Sequence, residues 1–113
     1  MDQNCIFCRI VAGTIPAKEL YRDDEVVAFQ DINPQAPLHA LVIPTKHLST
    51  LNDADSVDQA VLGKLMLVAK QVANAAGYND YKVQMNCGKG AGQVVFHIHL
   101  HVLAGGSFSK EVG

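Results

Sequence analysis

Apolar and polar residues along this 113-residue chain fall into two periods, and each change of period marks an element. The run CIFCRIVA predicts a short helix over residues 5–12, ended by Gly13 with Pro16 just beyond. Strand-like segments follow at residues 19–21 and 25–30, on either side of the turn Arg22-Asp23-Asp24. Asp31, Asn33, Pro34 and Pro37 make residues 31–37 a rigid loop. The next strand, HALVI at residues 39–43, is broken at Pro44. Helical period then returns from about residue 57 to 76. Val61, Leu65, Val68 and Val72 form its stripe, and Leu62, Leu67 and Ala69 broaden it. Ser56 and Gln59 have capping-box spacing, and Gly77 suits the stop. Residues 81–85 are a further strand, 86–92 a glycine-rich loop, and 94–103 (VVFHIHLHVL) a strand of strict alternation. Together these predict one α+β domain over residues 1–113, a five-stranded antiparallel sheet with one long and one short helix. The long helix is apolar enough to cover the sheet and also meet a second subunit.

Composition narrows the class. Hydrophobic content of 49% against 18% charged describes a folded domain rather than a disordered chain. A formal net charge of -2 offers no basic footprint for nucleic acid. No apolar run approaches a membrane span, and Met1-Asp2-Gln3-Asn4 does not open a signal peptide, so the expected location is the cytoplasm, with no membrane partner. Three cysteines, two of them as Cys5-x-x-Cys8, suit a reducing compartment better than a disulfide framework.

The candidate chemistry sits in the last strand. Alternate side chains share a face, so His97, His99 and His101 are expected in one row, with Phe96, Ile98, Leu100 and Val102 against a core. The plain reading of such histidines is a polar strand face. Three in register on so apolar a strand point instead to a site, because each charged form is costly there without a partner. Neutral imidazole can be nucleophile, acid, base or metal ligand. The preceding loop, Asn86 to Gln93, carries glycine at three alternate positions. That suits a phosphate cradle as well as an ordinary hairpin loop, and its direct run into the histidines favours the cradle. The triad could also ligate a metal, although no Asp or Glu lies within residues 97–101 to complete a usual ligand set. Cys5-x-x-Cys8 reads either as half of a metal site or as two packed thiols, and Cys87 has no partner in sequence.

His97-x-His99-x-His101 followed by two apolar residues is the pattern that names the histidine triad superfamily. The likeness runs over nearly the whole chain. Ile6-Phe7, Ile15-Pro16-Ala17, the run FQDINPQAP at residues 29–37, His39, Val42-Ile43-Pro44 and Gly92-Gln93 resemble its nucleotide-binding (HINT-like) branch. Leu103-Ala104-Gly105-Gly106 fits that branch too, where dinucleoside polyphosphate hydrolases usually carry Pro-Arg. The uridylyltransferase branch has glutamine in place of His101.

The resemblance implies a homodimer whose two sheets join into one, a purine nucleotide pocket in each subunit, and hydrolysis of nucleoside 5′-phosphoramidates. His99 occupies the nucleophile position, giving a nucleotidyl-histidine that water releases. Its Nδ1–H is expected on a backbone carbonyl, leaving Nε2 to attack. His101 and neighbouring amides would hold phosphate oxygens, while His39 and His97 orient or relay protons. Asp31 resembles the ribose-binding carboxylate, and Asn86, Gly92, Gln93 and Val94 the phosphate side. Ile6, Phe7, Ile10, Ile15, Phe29, Ile32 and Leu41 resemble apolar contacts to base and sugar. Members that keep the cysteine pair often bind a structural zinc with two histidines, which map to His47 and His97, and no catalytic metal is required. Two departures stand out. Val94 replaces a common serine and removes a hydroxyl donor. The tail, residues 107–113, is short and lacks tryptophan, which leaves the leaving amine open. A nucleotide-binding sensor or adaptor with vestigial hydrolysis is therefore the competing reading, and dinucleoside polyphosphate hydrolysis a further alternative.

Overall fold

Alternation along three central strands sends two sets of apolar side chains to opposite faces of one sheet, and each face has its own helix. The computed structural model describes residues 4–106 and 108, so the expectation for the tail, Phe108 apart, lies outside the described residues. The elements are α1 (Ile6–Ala12), β1 (Glu19–Arg22), β2 (Val26–Gln30), β3 (Leu38–Pro44), α2 (Gln59–Ala75), β4 (Lys82–Gln84) and β5 (Leu100–Ala104). The sheet order is β1-β2-β3-β5-β4, with every neighbouring pair antiparallel. This is the expected five-stranded α+β architecture.

Val26, Ala28, Leu38, Ala40, Val42, Leu100 and Val102 face α2, whose Leu65, Val68, Ala69, Val72 and Ala73 complete that layer. Val27, Phe29, Leu41 and Ile43 face the other way and pack with Phe7, Cys8 and Ile10 of α1. Strand β3 is buried along its whole length because both faces are covered. Helix α1 ends at Gly13, whose φ of 76° lets its N–H turn back to the Arg9 and Ile10 carbonyls. Arg22 on β1 donates to the carbonyls of Val11 and Ile10, which ties that helix end to the sheet. On the other side Lys64 of α2 pairs with Asp23 and Glu25 at the β1–β2 turn, and holds the Asp23 carboxyl far below its usual range. Among the described residues, no helix is long and apolar enough to cross a membrane.

Three expectations are corrected. The capping box lies one residue earlier than expected. The Asp55 side chain accepts the Val57 N–H and the Asp58 side chain accepts the Asp55 N–H, around a one-turn 3-10 segment (Ser56–Asp58), and α2 begins at Gln59. Leu67 is 67% exposed, since it stands about 200° around the helix from Leu65. The histidine strand is also shorter than its alternation. Regular pairing starts at Leu100, opposite Val42. Two residues further along that register β3 reaches Pro44, which has no N–H to give the ladder. Ile98 donates to the Leu48 carbonyl (2.7 Å) instead, and Phe96 lies 42% exposed rather than in the core.

The two leucines of α2 test this layering. Leu65→Ala should lower unfolding free energy in urea by about 2–5 kcal/mol. Leu67→Ala should stay within about 0.5 kcal/mol of the parent protein.

Candidate active site

Two groups of side chains flank His99, one gathered at the bend before β5 and the other centred on the paired strands β3 and β5. The first group collects sulfur and nitrogen donors. Cys5 is the N-cap of α1, its Sγ accepting the Cys8 N–H at 3.3 Å. His47 comes from the segment after β3 and His97 from the bend before β5. Cys5 Sγ lies 3.3 Å from His97 Nδ1, Cys8 Sγ 3.2 Å from His47 Nδ1 and 3.6 Å from His97 Nδ1, and the two Nδ1 atoms are 3.2 Å apart. A tetrahedral ion with metal–sulfur bonds of about 2.3 Å and metal–nitrogen bonds of about 2.0 Å sets its donors roughly 3.3–3.8 Å apart. The cluster has those dimensions. Its chemistry agrees, because His97 Nε2–H donates to the Pro44 carbonyl at 2.8 Å, which leaves Nδ1 as a lone pair aimed at the sulfurs. His47 Nε2 similarly stands 3.3 Å from Ser49 Oγ. These four residues could hold a metal ion.

The second group is a directed chain of hydrogen bonds rather than a gathering of lone pairs. His39 Nδ1 accepts the Gln35 N–H at 3.0 Å, so in the neutral ring the proton sits on Nε2. That Nε2–H donates to His101 Nδ1 at 2.9 Å and places the His101 proton on its own Nε2. His101 is thereby a ready donor. Asp31 stands 3.5 Å from His39 Nε2 and accepts the Asn33 N–H through its other oxygen. Asp31, His39 and His101 are close enough to share an ion. The Gln35 amide argues against it, since the His39 nitrogen facing that point carries a proton instead of a lone pair.

His99 lies between the groups. Its Nδ1–H donates to the His97 carbonyl at 2.8 Å, which leaves the Nε2 lone pair for chemistry. The ring packs edge-to-face on Phe7 (5.1 Å) and on His101 (5.0 Å). Burial lowers the pKa of all three triad histidines, to about 4 for His97 and His101, so the row is neutral at physiological pH. Around His101 the neighbouring His99 and His39 rings add to the shift, while Asp31 opposes it.

Other expected residues divide by burial. Phe7 and Phe29 are buried and meet at 5.5 Å, and Ile10 and Leu41 share their cluster. Ile15 packs partly against it, whereas Ile6 and Ile32 are exposed. Asn86 Nδ2 donates to the Gly92 carbonyl at 3.4 Å and Asn86 Oδ1 accepts from Gln84. The glycine run is less open than expected. It forms a 3-10 turn (Lys89–Ala91), and the N–H groups of Ala91, Gly92 and Gln93 already donate to Gly88 and Lys89 carbonyls. Gln93 is buried, and its side-chain amide is bonded to three backbone groups of the protein. Among the described residues, the N–H groups of Val94 and Val95 have no backbone acceptor. Sequence reasoning missed Gln35, Pro44 and Ser49. The first two act through main-chain groups, which leave no residue signature, and a lone serine gives no signal.

The family described as "Scavenger mRNA decapping enzyme C-term binding" matches residues 4–111. Protein HitA of Neisseria gonorrhoeae is 50% identical over 101 residues, 88% of this chain and 94% of its own length. A HIT family hydrolase from Legionella pneumophila has a crystal structure that superposes with a TM-score of 0.93 at 43% identity, covering 97% of this chain and 100% of its own. A zinc-bound histidine triad family protein from Mycobacterium smegmatis superposes at 0.79 with 36% identity, over 88% of this chain and 73% of its own.

The depressed histidine pKa values have a direct readout. In an NMR pH titration the His101 ring should remain neutral through pH 6 and titrate near pH 4, well below the ordinary midpoint of about 6.5. A midpoint at the ordinary value would contradict the burial described here.

Proposed function

The chain belongs to the histidine triad superfamily, and we propose that it is a purine nucleoside 5′-phosphoramidate hydrolase acting through a nucleotidyl-histidine intermediate. The observation that carries the reading is the 2.8 Å bond from His99 Nδ1–H to the His97 carbonyl, which aims a neutral Nε2 lone pair away from its own backbone. In this reading Nε2 attacks the α-phosphorus. The phosphorus–nitrogen bond breaks, its electron pair leaves with the amine as the nitrogen takes up a proton from solvent, and water then cleaves the phosphorus–Nε2 bond, returning a proton to solvent and releasing the nucleoside monophosphate. The His101 Nε2–H is an uncharged donor suited to the phosphate oxygens, and the Val94 and Val95 amides, which have no backbone acceptor, would join it. Asp31 is the ribose-side carboxylate in this scheme, and the apolar cluster around Phe7 and Phe29 is the wall beneath the nucleoside.

Zinc is the proposed occupant of Cys5, Cys8, His47 and His97. Two thiolates would neutralise it, and four protein ligands leave no open position, so its role is structural. A homodimer in the cytoplasm, with no nucleic acid or membrane partner, completes the reading. One observation favours the sensor alternative: Val94, 85% exposed after the glycine loop, brings no hydroxyl to the phosphate.

Turnover of adenosine 5′-phosphoramidate decides between them. The hydrolase reading expects turnover that survives brief chelator treatment, and His99→Ala should lower kcat by about 10³-fold or more while adenosine monophosphate still binds. Binding without turnover in the parent protein would establish the sensor. For the metal, elemental analysis should find near one zinc per chain, lost in Cys8→Ser together with a clear drop in Tm. A metal-free parent protein with unchanged Tm in chelator would remove zinc from the account.

A further inference from the structure

We propose that Gln93 is a positioning residue that holds the phosphate-side loop and the nucleophile in one frame, an inference resting on the hydrolase reading above. Gln93 is 4% exposed, and its amide engages three backbone groups. Oε1 accepts the Gly88 N–H at 2.8 Å, while Nε2 donates to the Ser49 carbonyl at 2.7 Å and to the Val95 carbonyl at 3.0 Å. Its own N–H returns to the Gly88 carbonyl at 3.0 Å, so Gly88 and Gln93 are bonded twice and close the loop into a ring.

The partners of that amide give it a role beyond loop closure. Drawing the Val95 carbonyl toward Nε2 sets the plane of the 95–96 peptide, because carbonyl and N–H of a trans peptide point opposite ways. The chain then enters His97, whose carbonyl holds His99. The third partner, Ser49, follows Leu48, and the Leu48 carbonyl accepts the Ile98 N–H at 2.7 Å. One short stretch of backbone, residues 48–49, therefore anchors the glycine loop through Gln93 and the nucleophile's own segment through Ile98. A shift of the loop relative to His99 has to break a bond to that stretch. Reacting groups held this way lose much of their rate on small displacements.

Two variants separate positioning from plain stability. Gln93→Leu removes all three bonds at similar volume. Gln93→Glu keeps an acceptor for Gly88 but sets an oxygen against the Ser49 and Val95 carbonyls. Both should lower kcat for adenosine 5′-phosphoramidate by about 10–100-fold with KM changed less than about three-fold. Hydrogen exchange at the Gly88 amide should speed up in Gln93→Leu and remain slow in Gln93→Glu. Parent-like kcat in both variants overturns the proposal. So does a lower Tm accompanied by unchanged kcat per folded molecule, which would make Gln93 a purely structural residue. A parent protein inactive on the phosphoramidate overturns the hydrolase reading instead, and that result precedes any variant.

Discussion

The site depends on the bonding of one ring and one carbonyl, both belonging to His97. Its side chain is fully buried, and burial holds it neutral. A neutral ring has one N–H and one lone pair, and here each has a fixed direction. The N–H goes to the carbonyl of Pro44 at the end of β3, and the lone pair turns to Cys5, Cys8 and His47. The carbonyl of the same residue then holds His99. Helix α1, the end of the central strand, the segment after it and the proposed nucleophile thus meet at a single residue.

The two histidine groups use the same physics in opposite senses. At His97 the second nitrogen donates outward, so the Nδ1 lone pair faces two sulfurs and the His47 ring, an arrangement that repels itself unless a cation or proton sits between. Around His101 a single amide, that of Gln35, sets a direction of donation through His39 that ends on the far nitrogen of His101. One arrangement could hold a positive ion. The other fixes a hydrogen-bond donor without a formal charge on half-buried His101.

Much of this was legible in the residue pattern, and the exceptions have specific causes. Strand faces follow from alternation, and the alternation of residues 97–102 held even where the ladder did not. Ile98, Leu100 and Val102 reach the α2 layer while His97, His99 and His101 face the other way. The ladder stops short because Pro44 on the neighbouring strand cannot donate, a pairing effect that the histidine segment alone does not reveal. The start of α2 differs from the expected one because Asp55 and Asp58 form a capping box as well suited as Ser56 and Gln59. The role of Gln93 was hidden for a different reason. Beside glycines and a triad its amide reads as a ligand contact, and only burial with three backbone partners shows that it faces inward.

Neutrality also explains how such a row can face a phosphate. A cationic site would bind the anion strongly in the ground state and hold its nucleophile protonated, which removes the lone pair that attacks. Burial suppresses protonation of His99, and the bond from Nδ1 keeps its single proton on the side away from the substrate. In the proposed reaction, stabilisation of the phosphoryl transition state would fall to dipoles already oriented by the fold, the His101 N–H first among them. Such dipoles need no reorganisation as charge moves from the bridging atom to the equatorial oxygens. The same burial that makes three histidines costly to charge would make the central one usable as the nucleophile of the proposed reaction.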